Sequence, residues 1–132
     1  MSFDPKTVLI IEDEADAADL FAEMMRVSGF RVLKTTKSAP ALDMMAAEKP
    51  DVVILDIMMP ETSGLDILRQ MRRDPALAAI PVVVVSAVSM PADIRTGMEA
   101  GASTYLAKPV GFRELREAVE QALANAPGVD DS

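Results

Sequence analysis

The chain contains no cysteine and no histidine among its 132 residues. Without cysteine it forms neither disulfides nor thiolate ligands. Without histidine it has no imidazole base, no histidine-ligated zinc and no means of acting as a phosphohistidine carrier. Chemistry at any site of this chain therefore depends on oxygen atoms and lysine, with a hard cation as the natural partner of the oxygens.

Long hydrophobic runs and a basic surface are also missing. No apolar stretch approaches the roughly 20 residues that span a bilayer, and residues 1–6 lack the charge and apolar pattern of a secretory signal. The net charge of −8 argues against direct binding to nucleic acids or anionic membranes, because both bind basic surfaces. We therefore expect a cytoplasmic protein with neither of these partners.

Half of the residues are hydrophobic, which is enough for one domain with its own core. Short β-branched runs alternate with helical periodicity, a pattern typical of βαβ units and a parallel sheet. Strands are predicted at residues 7–11, 30–35, 51–56, 81–86 and 104–107. Helices are predicted up to residue 29, from residue 38 onward, and at residues 63–73, 92–100 and 111–124.

Apolar residues at helical spacing predict which helix faces are buried. The stripe of the first helix runs through Leu20, Phe21, Met24 and Val27. The second helix is expected to face inward with Leu42, Met45 and Ala46. Ser38 is expected to cap the second helix.

Charged and hydroxyl side chains follow the predicted strands, at the point where each strand ends. Glu12 and Asp13 follow the first strand, Asp56 ends the third, Ser86 ends the fourth and Lys108 follows the fifth. A buried carboxylate is costly unless it finds a cation and donors. Because sites in open α/β sheets form at the carboxyl ends of the strands, we expect these side chains to meet there.

Four motifs at these strand ends make the chain resemble a response-regulator receiver domain of two-component signalling, like the chemotaxis regulators. They are residues 8–14 (VLIIEDE), 55–60 (LDIMMP), 86–87 (SA) and 101–109 (GASTYLAKP). The resemblance covers about residues 6–125, which would form the receiver domain, with residues 1–5 as an N-terminal extension and residues 126–132 as a flexible tail or severed linker. It implies an α/β flavodoxin-like fold: a doubly wound (βα)5 three-layer sandwich with a parallel five-stranded sheet in the order 2-1-3-4-5.

The resemblance also implies what the strand-end residues do. Asp56 would accept a phosphoryl group from a histidine kinase or a histidine phosphotransfer protein. Mg²⁺, with Mn²⁺ as an alternative, would be held by Glu12, Asp13, Asp56 and the backbone carbonyl of Met58. Lys108 would pair with the carboxylate and then with the phosphoryl oxygens.

A second group of residues would read out the modification. Ser86 would hydrogen-bond a phosphoryl oxygen, and Tyr105 would turn inward as the Ser86 hydroxyl moves. The resemblance implies that Met58 and Val88 would tune dephosphorylation, and since both are apolar a persistent phosphoryl state is expected. The Lys108–Pro109 bond is expected to be cis.

The implied function is a phosphorylation-dependent receiver that switches the surface of its fourth helix, fifth strand and fifth helix for a downstream protein target or output domain. It would not be an enzyme beyond Mg²⁺-dependent self-phosphorylation from a phosphodonor and autodephosphorylation. A homodimer is compatible with this role. The alternative is a phosphate-independent, receiver-like interaction or dimerisation module. A phosphohydrolase with an aspartyl intermediate would need a second acid beside Asp56, where Ile57 and Met58 stand.

Overall fold

A computed structural model of the protein describes residues 4–126. Within them strands and helices alternate in the order β1 (Thr7–Ile11), α1 (Ala15–Val27), β2 (Arg31–Thr35), α2 (Ala41–Glu48), β3 (Val52–Leu55), α3 (Gly64–Arg73), β4 (Val82–Ser86), α4 (Pro91–Ala100), β5 (Thr104–Ala107) and α5 (Phe112–Ala124). All strand pairs are parallel, in the order β2-β1-β3-β4-β5, which confirms the predicted flavodoxin-like topology. The extension predicted for residues 1–5 and the tail predicted for residues 126–132 lie mostly outside the described residues.

The three central strands are buried on both faces, as their continuous apolar sequences predict. Successive side chains of a strand point to opposite faces, so Val8 and Ile10 pack against α1 and α5, while Leu9 and Ile11 pack against α2 and α3. Helices therefore cover both faces of the sheet, and the three-layer arrangement is confirmed. The carboxyl ends of the strands are left open between the layers.

Two predicted helix faces are wrong in part. Phe21 of the predicted stripe is buried, but Leu20 and Val27 are 54% and 69% exposed, because α1 turns Ala18, Phe21, Ala22 and Met25 toward the sheet. They line a shallow apolar hollow with Phe112 of α5. Ala46 of α2 is likewise exposed, whereas Met45 is buried and Leu42 is partly buried.

Ser38 does not cap α2 through its side chain. The helix begins at Ala41 with Pro40 as the capping residue, and Ser38 accepts the N–H of Ala41 with its backbone carbonyl, 3.1 Å away. Proline has no N–H and a fixed φ, so the turn before the helix is closed by backbone atoms and the serine hydroxyl lies outside the first helical turn.

Arg72 connects segments of the chain at the end of the domain where β4 and β5 begin. Its guanidinium donates to the carbonyls of Ala78 and Ile80, 3.0 and 2.6 Å away, and to the carbonyl of Gly101, which follows α4. Burial lowers the pKa of this guanidinium. The side chain thus joins the end of α3 to the turns that precede both β4 and β5.

Within residues 4–126, none of the helices combines the length and hydrophobicity of a membrane span.

Candidate functional site

Strand pairing places Glu12 and Asp56 side by side. Ile11 and Leu55 are paired in register at the ends of β1 and β3, so the residues that follow them leave the sheet together. The N–H of Asp56 donates to the carbonyl of Ile11 over 2.9 Å, which extends the strand pairing by one more bond. Strand pairing, and not loop conformation alone, therefore places the backbones of Glu12 and Asp56 next to each other.

Three carboxyl groups converge at this edge of the sheet. Glu12, Asp13 and Asp56 each offer an oxygen atom, and these atoms lie within 4.8 Å of one another. Glu12 and Asp56 are 1% and 4% exposed, whereas Asp13 is only partly buried. A set of hard oxygen donors with one side open to solvent suits Mg²⁺, which binds through one or two carboxylates and keeps several of its waters.

Lys108 brings a positive charge to the same place from the end of β5. Its Nζ lies 2.7 Å from Oε1 of Glu12, 3.4 Å from Oδ2 of Asp56 and 3.9 Å from Oε1 of Glu14. Its backbone N–H donates to the carbonyl of Ser86 over 2.9 Å, which ties the residue to the end of β4. The peptide bond to Pro109 is cis, as expected.

Burial and neighbouring charges change the pKa of Glu12 and the pKa of Lys108. Burial raises the pKa of Glu12 to about 7. The hydrogen bond from Lys108 lowers this pKa, and the charge of Asp56 raises it. For Lys108 burial lowers the pKa, but the hydrogen bond to Glu12 and the charges of Asp56 and Glu12 outweigh burial, so the pKa of the lysine is raised. The lysine is therefore an ammonium, and Glu12 exchanges its proton near neutral pH.

The loop after β3 holds the two oxygens of Asp56 in different surroundings. The N–H of Met58 donates to Oδ1 over 2.9 Å, and Oδ2 is the oxygen near Lys108. The side chain of Met58 itself is 56% exposed. One carboxylate oxygen is thus anchored by the backbone while the other faces the cation.

Gly64 makes this loop possible, and sequence reasoning did not single it out. Its N–H donates to the carbonyl of Ile57 over 2.9 Å, and a Cβ on Gly64 would lie 2.7 Å from Cα of Ile57 and closer still to the carbonyl oxygen of Asp56. The sequence signal that could have revealed it is a glycine directly after the capping residue Ser63. Glycine is unfavourable in a helix, so a glycine at this position indicates that another part of the backbone approaches closely.

Ser86 and Tyr105 meet at the loop between β4 and α4. The hydroxyl of Ser86 accepts the N–H of Val88 over 3.2 Å, and the phenol of Tyr105 donates to the carbonyl of Val88. Burial raises the pKa of Tyr105, a hydrogen bond with Ser86 lowers it, and the charges of Asp93 and Asp56 raise it further. The structure therefore brings Ser86, Val88 and Tyr105 together, beside the strand end that carries Asp56.

The chain is similar to known proteins over most of its length. The family model for the response regulator receiver domain matches residues 8–120. The polar-differentiation response regulator DivK of Brucella anthropi is 32% identical over 122 residues, which cover 92% of this chain and 99% of that protein.

Solved structures show the same likeness. The crystal structure of a proposed response regulator from Chloroflexus aurantiacus superposes with a TM-score of 0.87 at 30% identity, covering 91% of this chain and 98% of that one. The chemotaxis protein CheY4 of Vibrio cholerae superposes with a TM-score of 0.84 at 20% identity, covering 89% and 98% of the two chains, a likeness of fold alone.

Proposed function

Because the chain belongs to the response regulator receiver domain family, we propose that Asp56 accepts a phosphoryl group from a histidine kinase or a histidine phosphotransfer protein. Receiver domains are signalling modules, not enzymes in the ordinary sense. The observation that carries the proposal is the contact of one lysine ammonium with two buried carboxylates from different strand ends. A structural ion pair needs one carboxylate, whereas phosphoryl transfer needs concentrated charge around an acceptor.

The carboxylate of Asp56 would make the attack, and its contacts support this role. Oδ1 is held by the N–H of Met58, so the group is oriented before a donor arrives. A carboxylate oxygen forms the new bond to phosphorus, the P–N bond of the donor's phosphohistidine breaks, and the departing imidazole keeps the electron pair and takes a proton from solvent. Lys108 stays beside the acceptor and pairs with the negative oxygens of the transferred group.

The oxygen donors fit a divalent ion. Asp13, Asp56 and the backbone carbonyl of Met58 would hold Mg²⁺ or Mn²⁺ directly, and Glu12 would act partly through water. When bound, the ion would supply positive charge that offsets the charge on the phosphoryl oxygens. Glu12 would then interact with both the ion and Lys108.

The phosphorylated state would be read on the surface of α4, β5 and α5. A phosphoryl group brings strong acceptor oxygens to Asp56, which would draw the hydroxyl of Ser86 and the ammonium of Lys108 toward it. Tyr105 would follow Ser86, since both contact the loop at Val88. The apolar side chains of Met90, which caps α4, and of Ile94 and Met98 on the helix are 69%, 36% and 43% exposed, which suits a protein target or output domain.

A slow loss of the phosphoryl group forms part of the proposal. Met58 and Val88 stand two residues beyond Asp56 and Ser86, and neither side chain has a group that could orient a water for attack. Rapid hydrolysis of the phosphorylated protein would contradict this. A cytoplasmic location follows from the proposed kinase partner and is proposed with it.

Intact-protein mass spectrometry tests the function. The protein is incubated with Mg²⁺ and acetyl phosphate beside Asp56→Asn, with Asp43→Asn as a matched control, because Asp43 is an exposed aspartate of α2. We expect one phosphoryl group on the native chain and on Asp43→Asn, and none on Asp56→Asn or in EDTA. An unmodified native chain would overturn the proposal and favour a phosphate-independent interaction module.

A further inference from the structure

Gly97 is the only buried residue of α4 within the described part of the chain. Glycine is disfavoured inside a helix, because it loses the most backbone freedom and contributes no side chain to packing. Its position, well inside a helix of 10 residues, therefore calls for a physical reason.

The reason is the ring of Tyr105. A Cβ on Gly97 would lie 2.7 Å from Cδ2 and 2.8 Å from Cε2 of Tyr105. Carbon atoms that are not bonded approach to about 3.5–4.0 Å at their optimal separation. The ring thus lies directly against the backbone of α4, in a notch that any other residue would fill.

The same tyrosine is held at its other end by the loop that carries Ser86. Its phenol donates to the carbonyl of Val88, and the N–H of Val88 donates to the hydroxyl of Ser86 over 3.2 Å. A continuous series of contacts therefore runs from the strand end beside Asp56, through Val88 and Tyr105, to the middle of α4.

The C-terminal end of α4 is fixed separately. Gly101, which follows the helix, has φ +116° and accepts from the guanidinium of Arg72 with its carbonyl. The helix is thus secured behind its last turn by Arg72 and in its middle by Tyr105, while its first turn begins at an exposed Met90.

We propose that Gly97 is a positioning residue: the notch that it leaves in α4 lets Tyr105 join this helix to Ser86, so that a change at Asp56 reaches the exposed face of α4. The purpose of this connection rests on the proposed function, because it requires phosphorylation at Asp56. The contact between Gly97 and Tyr105 exists without it and is tested without it.

The contact is measured through the fluorescence of Tyr105, since the chain has one tyrosine and no tryptophan. In Gly97→Ala we expect the ring to leave the notch, which gives stronger quenching by acrylamide at neutral pH and a lower melting temperature. Gly111→Ala is the matched control, because a Cβ there meets nothing within 4 Å and should leave the quenching unchanged. Unchanged quenching in Gly97→Ala would overturn the proposal.

A double mutant separates the notch from general damage to the helix. In a Tyr105→Ala background the notch is empty, and alanine is a better helix former than glycine. Gly97→Ala should then raise the melting temperature, reversing its effect in the native chain. Should Gly97→Ala fail to fold alone, the double mutant should fold. A lower melting temperature or loss of folding in both backgrounds would overturn the proposal.

The connection to Asp56 is tested by adding Mg²⁺ and acetyl phosphate. We expect the native chain to change its Tyr105 fluorescence as its mass increases, and Gly97→Ala to gain the same mass with little change in fluorescence. An equal fluorescence change in both would overturn the connection. If the native chain gains no mass, the proposed function fails, while the quenching result still decides whether the notch holds the ring.

Discussion

The ammonium of Lys108 lies closer to the carboxylate of Glu12 than to that of Asp56, at 2.7 Å against 3.4 Å. Glutamate is one methylene longer than aspartate, and its carboxylate reaches across to Lys108 at the end of β5. A second contact holds the side chain of Glu12, because the N–H of Glu14 donates to its other carboxylate oxygen over 3.2 Å. The lysine is therefore shared by two acids, and the stability of the domain depends on all three groups.

The stability of the metal-free protein should depend on pH through Glu12. Burial raises the pKa of Glu12 from 4.5 to about 7, so between these values the folded state keeps a proton that the unfolded chain has lost. The contribution of Glu12 is then complete below about pH 4.5 and is lost as the pH rises through about 7, and a shift of this size corresponds to roughly 3 kcal/mol. Urea unfolding in EDTA at several pH values should show this decline, and Glu12→Gln should flatten it. Glu14→Gln, at an exposed side chain, is the control and should keep the slope.

Replacing Lys108 by methionine should destabilise the protein and prevent phosphorylation. Methionine keeps most of the side-chain volume, so the main change is that Glu12 and Asp56 lose their cation while staying buried. Removing one partner of a buried ion pair costs about 3–5 kcal/mol, and protonation of Glu12 will recover part of it. Urea unfolding at pH 7 measures the loss. Lys34→Met removes an exposed pair with Asp19 and should cost at most about 1 kcal/mol; equal losses in both variants would contradict the assignment.

Mg²⁺ should stabilise the folded protein through Asp13. A ligand that binds only the folded state at a hundred-fold excess over its Kd adds about 2.7 kcal/mol of stability. Thermal unfolding with and without Mg²⁺ should therefore show a higher Tm in its presence. Asp13→Asn should abolish the shift, whereas Asp16→Asn, on the exposed first turn of α1, should preserve it. A shift that survives in Asp13→Asn would place the ion elsewhere.

Gly64→Ala should destabilise the domain and slow phosphorylation together. The new methyl group would lie 2.7 Å from Cα of Ile57 and press on the carbonyl of Asp56, and both are backbone atoms that cannot rotate away. Forced overpacking of this kind costs about 1–3 kcal/mol. Chemical unfolding and the rate of mass gain with acetyl phosphate measure the two effects. Gly111→Ala, where the added methyl group meets open space, should leave both near their native values.

The sequence was sufficient for the three central strands because they are unbroken apolar runs, whereas the order of the strands was implied by the resemblance to receiver domains. Residues 8–11, 52–55 and 82–85 have no polar interruption, so their burial on both faces and the position of Asp56 at a strand end follow directly. Helices were predicted less well. A stripe of apolar residues can be wider than the buried face, and Leu20 and Val27 show that its margin is exposed.

Contacts between side chains of different strands and helices could not be predicted from the sequence. The preference of Lys108 for Glu12 depends on where two side chains from opposite ends of the chain come to rest. Gly97 lies inside the predicted fourth helix, and its role requires knowing that Tyr105 of β5 lies against α4. The roles of the strand-end residues, and the extent of the domain at its two termini, stay predictions.

The strand order also fixes when the charges of the site can be balanced as the chain folds. β1 lies between β2 and β3, so the first three strands of a growing chain can already pair and bring Glu12 beside Asp56. Their counter-charge, Lys108, stands 96 residues after Glu12 and arrives with the outermost strand. A chain that lacked β5 would hold these two neighbouring acids without their lysine, so the last strand supplies the counter-charge to a pair of acids that the first three strands already bring together.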